Sequence, residues 1–227
     1  MARPPLLVLG QREVRKLLDL DELIDALGPG FVDLSEGRVS VPPRMAAYAG
    51  DRGLLVDKPG YAAGVLGTKL VTLFAGNAGS ELPSIQAVIV LFDPDNGAPL
   101  ALLDGNHITA ARTAACSALA TRLLARDDAT VLAVLGAGVQ ARAHVEAIPR
   151  VRVIGEIRIA SRTYAHAAAL AEDVGAKAVG SFEEAVRDAD VICACTDSPI
   201  DLFRAAHPPE TCLSQSPRSS PARADRP

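Results

Sequence analysis

Residues 131–141, Val-Leu-Ala-Val-Leu-Gly-Ala-Gly-Val-Gln-Ala, constrain this chain more than any other stretch. Five apolar residues run into Gly136-x-Gly138-x-x-Ala141. Gly136 permits a tight turn, Gly138 lets the backbone approach a pyrophosphate, and Ala141 keeps the following helix close to its strand. The free N–H groups and positive dipole end of that helix then form an anion site. By itself the pattern also fits an ordinary strand-to-helix turn. The sequence after it decides for a dinucleotide site that takes in Ala137, Val139 and Gln140. Strand 131–135, helix 139–147, strand 153–160, helix 164–173, strand 176–179, helix 182–189 and strand 191–196 alternate, as a parallel sheet covered by helices requires. Ser181-x-x-Glu184 marks the start of the third helix as a capping box.

The second strand of this series ends in Ile159-Ala160-Ser161-Arg162-Thr163. A site for NAD(H) usually places a carboxylate there, on the ribose 2′-hydroxyl, and none is present. The hydroxyls of Ser161 and Thr163 and the Arg162 guanidinium suit a 2′-phosphate, because arginine makes paired, charge-assisted bonds to phosphate oxygens. NADP(H) is therefore expected ahead of NAD(H).

The N-terminal half has a different texture. Leu17, Leu20, Leu23, Ile24, Leu27 and Phe31 give residues 12–36 a helical period. Gly28-Pro29-Gly30 interrupts it, and two shorter helices are expected, because proline removes a donor and clashes with the preceding turn. Residues 39–104 break into short β-branched runs, among them 65–74 and the pair 85–92 and 98–103, joined by the hairpin turn Asp93-Pro94-Asp95-Asn96-Gly97. An alanine-rich helix follows over 109–125. The expected division is an N-terminal domain at 1–127, a nucleotide domain at 128–206, and a proline-, serine- and arginine-rich tail at 207–227 too poor in apolar residues to order itself.

The 27 acidic and 23 basic residues leave a net charge of −4, which provides no field for nucleic acid or an anionic membrane. A small anion must be caught by local cations. Arg44, Lys69 and Arg112 each stand among small or apolar neighbours, where an unpaired charge is costly. Together they point to a pocket for a carboxylate. His107, His144, His166 and His207 have no ligand spacing, so no metal is expected. Cys193-x-Cys195 reads as two side chains on one buried strand face. Four cysteines in apolar settings, no signal peptide and no apolar run of membrane-spanning length indicate a cytoplasmic chain.

These blocks, in this order, resemble the ornithine cyclodeaminase and mu-crystallin family, on its ketimine-reductase side. The resemblance covers about residues 12–200 and rests on Val-Pro-Pro-Arg44, Gly-Thr-Lys69-Leu-Val, Leu-Pro-Ser84-x-Gln-Ala, Leu-Asp-Gly-Asn106-x-Ile-Thr-Ala-x-Arg112-Thr113-Ala-Ala, Leu-Gly136-Ala-Gly138-Val-Gln140-Ala, Ser-Arg162-Thr163 and Ala-Asp190-Val-Ile. It implies an α/β protein: a Rossmann-type parallel-sheet domain plus an N-terminal α+β dimerisation and substrate domain, assembled as a homodimer, with the substrate held between the domains. By resemblance Arg44, Lys69 and Arg112 bind the carboxylate of a small imino or amino acid, and Lys69 assists catalysis by proton transfer. Ser84, Arg112, Thr113 and Thr196 join the glycine loop and 161–163 in contacting the cofactor. The implied reaction is hydride transfer from NADP(H) to C2 of a cyclic imine carboxylate of the pyrroline or piperideine type. The alternatives are ornithine cyclodeamination, an alanine-dehydrogenase-like reaction, or an inactive nucleotide-binding remnant.

Four departures bear on those alternatives. Cyclodeaminases place a carboxylate shortly before the proline matching Pro59, where this chain has Val56 followed by Asp57. Ile85 stands where the ketimine branch commonly has histidine, and Gly28-Pro29-Gly30 interrupts a helix usually whole. From His207 onward nothing matches the family, whose members continue with further Rossmann strands and an acidic residue implicated in catalysis. A frameshift or early stop is the expected cause, leaving the outer edge of strand 191–196 bare.

Overall fold

The computed structural model describes residues 5–77, 79–196 and 213–215. The chain divides into two compact units between Arg112 and Thr113.

The first unit is built on a six-stranded sheet in the order β1-β6-β5-β4-β3-β2. Its elements are β1 (Leu7–Leu9), α1 (Gln11–Leu17), α2 (Leu20–Ser35), β2 (Met45–Tyr48), β3 (Leu54–Ala62), β4 (Val65–Leu73), β5 (Ile85–Phe92), β6 (Pro99–Asp104) and the first part of α3 (Gly105–Leu124). β2 to β6 form an antiparallel meander, and β1 adds in parallel to β6. The expected hairpin is present: the Asp93 N–H reaches the Ala98 carbonyl at 2.8 Å and the Gly97 N–H the Asp93 carbonyl at 2.9 Å. The expected helix break lies elsewhere. α2 runs unbroken through Pro29, and the chain bends at Leu18–Asp19 instead. There the Asp19 carboxylate caps α2, accepting from the N–H groups of Asp21 (2.8 Å) and Glu22 (2.9 Å). A proline on a helix whose neighbouring turns stay bonded costs one hydrogen bond rather than the helix.

One close approach sets where α3 begins. A Cβ on Gly105 would stand 2.9 Å from the Ala87 Cβ, so only glycine lets α3 start this near β5. Asn106 completes the joint. Its Oδ1 accepts the Ala87 N–H at 2.8 Å, while the Asp104 carboxylate takes the Asn106 main-chain and side-chain N–H groups at 3.1 Å each.

The second unit holds the rest of α3, β7 (Val131–Leu135), α4 (Val139–Ala147), β8 (Glu156–Ala160), α5 (Tyr164–Val174), β9 (Lys177–Ala178), α6 (Phe182–Val186), β10 (Val191–Ala194) and β11 (Leu213–Gln215). All its strand pairs are parallel, in the order β11-β10-β7-β8-β9. The capping box forms: Ser181 Oγ accepts the Glu184 N–H at 3.0 Å, and the Glu184 carboxylate accepts the Gly180 N–H at 2.9 Å. One face of the sheet packs Ala133, Leu135, Ala160 and Ile192 against Ala185 and Ala189 around α6. Burying each larger aliphatic side chain here stabilises the unit by about 1.5–3 kcal/mol.

Two expectations about the chain's divisions are altered. The unit boundary falls inside α3 rather than near residue 127, because the second part of that helix is tied to its successors. Ser117 is hydrogen-bonded to His144 of α4, and the Arg152 guanidinium donates to the Arg122 and Ala125 carbonyls. In the tail, Leu213–Gln215 form a strand against β10, with Val191 opposite Leu213. The expectation of a structureless tail and a bare β10 edge is corrected at those three residues, where backbone pairing needs no apolar side chains. Residues 207–212 and 216–227 lie outside the described residues.

Candidate functional site

The predicted site residues fall into two sets, one in each unit. In the first, strand periodicity brings the cations together. Side chains alternate between the faces of a sheet, so Val56 and Lys58 of β3 share one face and Leu55 and Asp57 the other. Lys58 lies directly opposite Lys69 of β4. Met45 pairs with Asp57, which puts Arg44 next in line beyond Lys58. Lys69 Nζ donates to Thr109 Oγ1 at 3.3 Å, and Arg112 follows Thr109 by one turn of α3. The Gly105–Asn106 joint therefore aims Thr109 and Arg112, which explains why the motif from Asp104 to Arg112 reads as one block.

Arg44, Lys69 and Arg112 thus meet as expected, with a fourth cation, Lys58, among them. None of the four has an ion-pair partner among the described residues. Burial first, and then the charges of Arg112 and Lys58, pull the Lys69 ammonium down to about 8. Burial, followed by Arg44 and Arg112, lowers Lys58 as well. Asp57 does not relieve them. It sits on the opposite face, where it accepts a hydrogen bond from Thr68 Oγ1. Lys58 was missed in the sequence, although a signal exists. Ala63 and Gly64, both at positive φ, close a two-residue hairpin turn that sets Ala62 opposite Val65 and hence Lys58 opposite Lys69.

Ser84 lies apart from the cations at the entry to β5, its carbonyl accepting the Phe74 N–H at 2.8 Å. Thr113 opens the second unit beside Arg112 in α3.

The second set surrounds the carboxyl ends of β7, β8 and β10. Gly136 has φ +126°, and a Cβ there would stand 2.4 Å from the Cys195 carbonyl oxygen. Only glycine fits, because β7 and β10 converge at this point, where the strand order reverses and open α/β sheets bind their ligands. Gly138 is the N-cap of α4, with nothing within 4 Å of where its Cβ would be. No side chain caps that helix, so its first N–H groups face outward. Ala141 is fully buried, Val139 is exposed, and the buried Gln140 Oε1 has no hydrogen-bond partner among the described residues. Open space at Gly138, an uncapped helix end and an orphaned amide oxygen are what a pyrophosphate cradle offers, and Ala137 through Gln140 fit that group.

Ser161, Arg162 and Thr163 follow the end of β8, with Arg162 exposed and without an ion-pair partner among the described residues. Thr196 follows β10. Cys193 and Cys195 are buried free thiols, Cys195 pushed up to about 12 by burial, so neither is poised as a nucleophile.

Two structural anchors escaped the sequence reading. His144, fully buried on α4, bonds the Gln140 carbonyl through Nδ1 (2.7 Å) and Ser117 Oγ through Nε2 (2.9 Å), and burial keeps its pKa low. Asp190 accepts from the N–H groups of Thr130 (2.8 Å) and Val131 (2.9 Å) and from Arg126 (2.6 Å). Desolvation alone would raise its carboxyl; those donors outweigh it and hold the group below the ordinary value.

The family model described as ornithine cyclodeaminase/mu-crystallin matches residues 6–203. Among curated relatives, mouse ketimine reductase mu-crystallin is 40% identical over 204 residues, which are 86% of this chain and 65% of that protein. This chain thus spans about two thirds of that relative's length. A structure of Thermococcus litoralis Δ1-pyrroline-2-carboxylate reductase in complex with NADH and L-proline superposes with a TM-score of 0.86 at 31% identity, covering 93% of this chain and 68% of that one. An archaeal alanine dehydrogenase dimer with bound NAD gives 0.78 at 33% identity, covering 84% of this chain and 60% of that one. With the cation face and the glycine cradle both in place, the chain belongs to the ornithine cyclodeaminase/mu-crystallin family.

Proposed function

We propose that this chain is an NADP(H)-dependent reductase of small cyclic imino acids of the pyrroline- or piperideine-2-carboxylate type. The observation that carries this reading is the β3–β4 face on which Arg44, Lys69 and Arg112 gather with no acidic residue among them. An α-carboxylate is the ligand such a face accepts. A diamino acid such as ornithine needs a carboxylate for its distal amine. Val56 supplies none, and Asp57 is turned to the other face. The relatives named for ketimine and pyrroline-2-carboxylate reduction support the same choice.

The dihydronicotinamide, when bound, supplies the hydride that adds to C2 of the imine. The protein supplies position and charge. Arg44 and Arg112 bind the carboxylate, and Lys69, whose ammonium gives up a proton near pH 8, provides the proton that the imine nitrogen takes up as it becomes an amine. In the second unit the loop from Gly136 to Gln140 takes the pyrophosphate and Thr196 lies near the nicotinamide. Ser161, Arg162 and Thr163 take the 2′-phosphate, with an unpaired guanidinium and no competing carboxylate. In the first unit, Ser84, Arg112 and Thr113 at the unit boundary complete the cofactor contacts.

The other face of the first sheet exposes Val8, Met45, Leu55, Tyr61 and Val88, beside part-buried Leu70 and Leu102. A second copy covering this face makes a homodimer, the assembly named for the archaeal relative. A cytoplasmic setting accords with the free, buried Cys193 and Cys195. Among the described residues no helix is long and apolar enough to cross a membrane.

The test is NADPH oxidation by the purified chain with Δ1-pyrroline-2-carboxylate, Δ1-piperideine-2-carboxylate, pyruvate plus ammonia, and, with NAD+, ornithine. Turnover confined to the cyclic imines is expected. Turnover of ornithine, or of pyruvate with ammonia in preference to both imines, would overturn the reading, as would no turnover at all. Light scattering should give twice the chain mass, and Val88→Asp should halve it.

A further inference from the structure

The surplus cation on the β3–β4 face carries a further inference, which rests on the imine-reductase reading. One carboxylate brings a single negative charge, and two guanidiniums with one ammonium already exceed it. Lys58 is a fourth positive group, directly opposite Lys69 and in line with Arg44. Like charges facing each other across neighbouring strands are destabilising. The part-buried position of both lysines makes this worse, since their charges cannot be fully hydrated. On this face the adjoining position of β3 is the buried, apolar Val56, and Asp57 faces away. The chain itself therefore supplies no counter-charge here among the described residues. The anion that neutralises Lys58 has to come with the ligand.

We propose that Lys58 is a specificity-determining residue that reads a second acidic group, so that the substrate is an imine dicarboxylate. Arg44, Lys69 and Arg112 hold the carboxylate next to the imine carbon, and Lys58 holds the one at the far end of the molecule. Neighbouring strands are about 4.8 Å apart, so the cations from Arg44 to Lys69 span about 10 Å. That row matches a five- or six-membered cyclic imine bearing carboxylates on both sides of its nitrogen, or an open-chain imino diacid of four or five carbons. Reduction changes neither carboxylate. Hydride adds to the imine carbon, a proton adds to nitrogen, and the product amine keeps both charges.

The test is calorimetric titration of the full chain with NADP+ present, using stable product analogues: L-proline and L-pipecolate as monocarboxylates, cis-pyrrolidine-2,5-dicarboxylate and cis-piperidine-2,6-dicarboxylate as dicarboxylates. The dicarboxylates are expected to bind at least 10-fold more tightly. In Lys58→Met that preference should collapse to about 1, and in Lys58→Arg it should persist. A thermal scan confirms that each variant is folded, and Lys58→Arg stands in for Lys58→Met if the latter is not. Equal binding of both classes by the wild-type chain, or equal weakening of both in Lys58→Met, would overturn the inference while the reductase reading stands. Preference for dicarboxylates without oxidation of NADPH by the matching imines would support Lys58's role and overturn the reductase reading. Binding of neither class overturns both.

Discussion

The two units of this chain use charge in opposite ways. In the second, charges are paired. Asp190 gathers two backbone N–H groups and Arg126, and Arg158 chelates Glu156 with two bonds of 2.9 Å. In the first, Arg44, Lys58, Lys69 and Arg112 crowd one sheet face with no acid to pair them. Paired charges in the second unit hold strands in place. Unpaired ones in the first work against the fold and are satisfied by a ligand, so the electrostatic burden of a site shows where it lies.

The contrast is most exposed to failure at Lys69. Lys69→Ala should cut kcat on a cyclic imine by about 10²–10⁴-fold, the range for a lost proton donor, while NADPH affinity stays within about twofold. An equal loss of NADPH affinity would show that the cations do not belong to the substrate. Asp190→Asn should destabilise the chain by about 2–3 kcal/mol, since it removes charge-assisted bonds to three donors. The depressed Asp190 pKa also predicts a pH signature. Its contribution is complete above the ordinary carboxylate range, near pH 4, and is lost as pH falls through its lower folded value. In urea titrations the variant should lack that acid slope; an unchanged slope would remove Asp190 from the paired side of the comparison.

Arg162→Ala should lower the NADPH-to-NADH affinity ratio about 10-fold, because only the 2′-phosphate distinguishes the two. An unchanged ratio would show that this guanidinium reads something else. The smallest effect is the most direct measure of the burden in the first unit. Lys69→Met should raise Tm at pH 7 by about 2–4 °C, the equivalent of about 1 kcal/mol in a chain of this size. The sign follows from linkage. Lys69 falls from 10.5 to about 8 on folding, so between those values the unfolded chain holds more protons and wild-type stability climbs with pH. The advantage of Lys69→Met should therefore shrink as pH rises through that window. A destabilised Lys69→Met at pH 7 would mean that packing of the lysine stem outweighs the repulsion.

Much of the second unit is legible from local pattern. A buried strand, a glycine turn and a helix repeat in order, and each signal acts within a dozen residues. The first unit is less so. The helix break was expected at Gly28-Pro29-Gly30 because those residues disfavour helix locally, yet α2 continues and the bend lies where Asp19 can cap it. Arg44, Lys69 and Arg112 stood out as cations in apolar settings, whereas Lys58, flanked by Asp57 and Pro59, did not. His144 and Asp190 looked like ordinary polar residues, because their partners lie 27 and about 60 positions away.

By itself the sequence determined the parallel sheet, the glycine cradle, the missing carboxylate after β8 and three of the four cations, because each depends on residue type and short spacing. Only the tertiary structure decided that Lys58 stands beside Lys69 while Asp57 turns away, that Gly136 must clear the Cys195 carbonyl, and that Asp190 ties β7 to its neighbour. Those outcomes depend on register, and register is a property of two strands at once: a slip of one residue would exchange Lys58 for Asp57 and reverse the charge of the face.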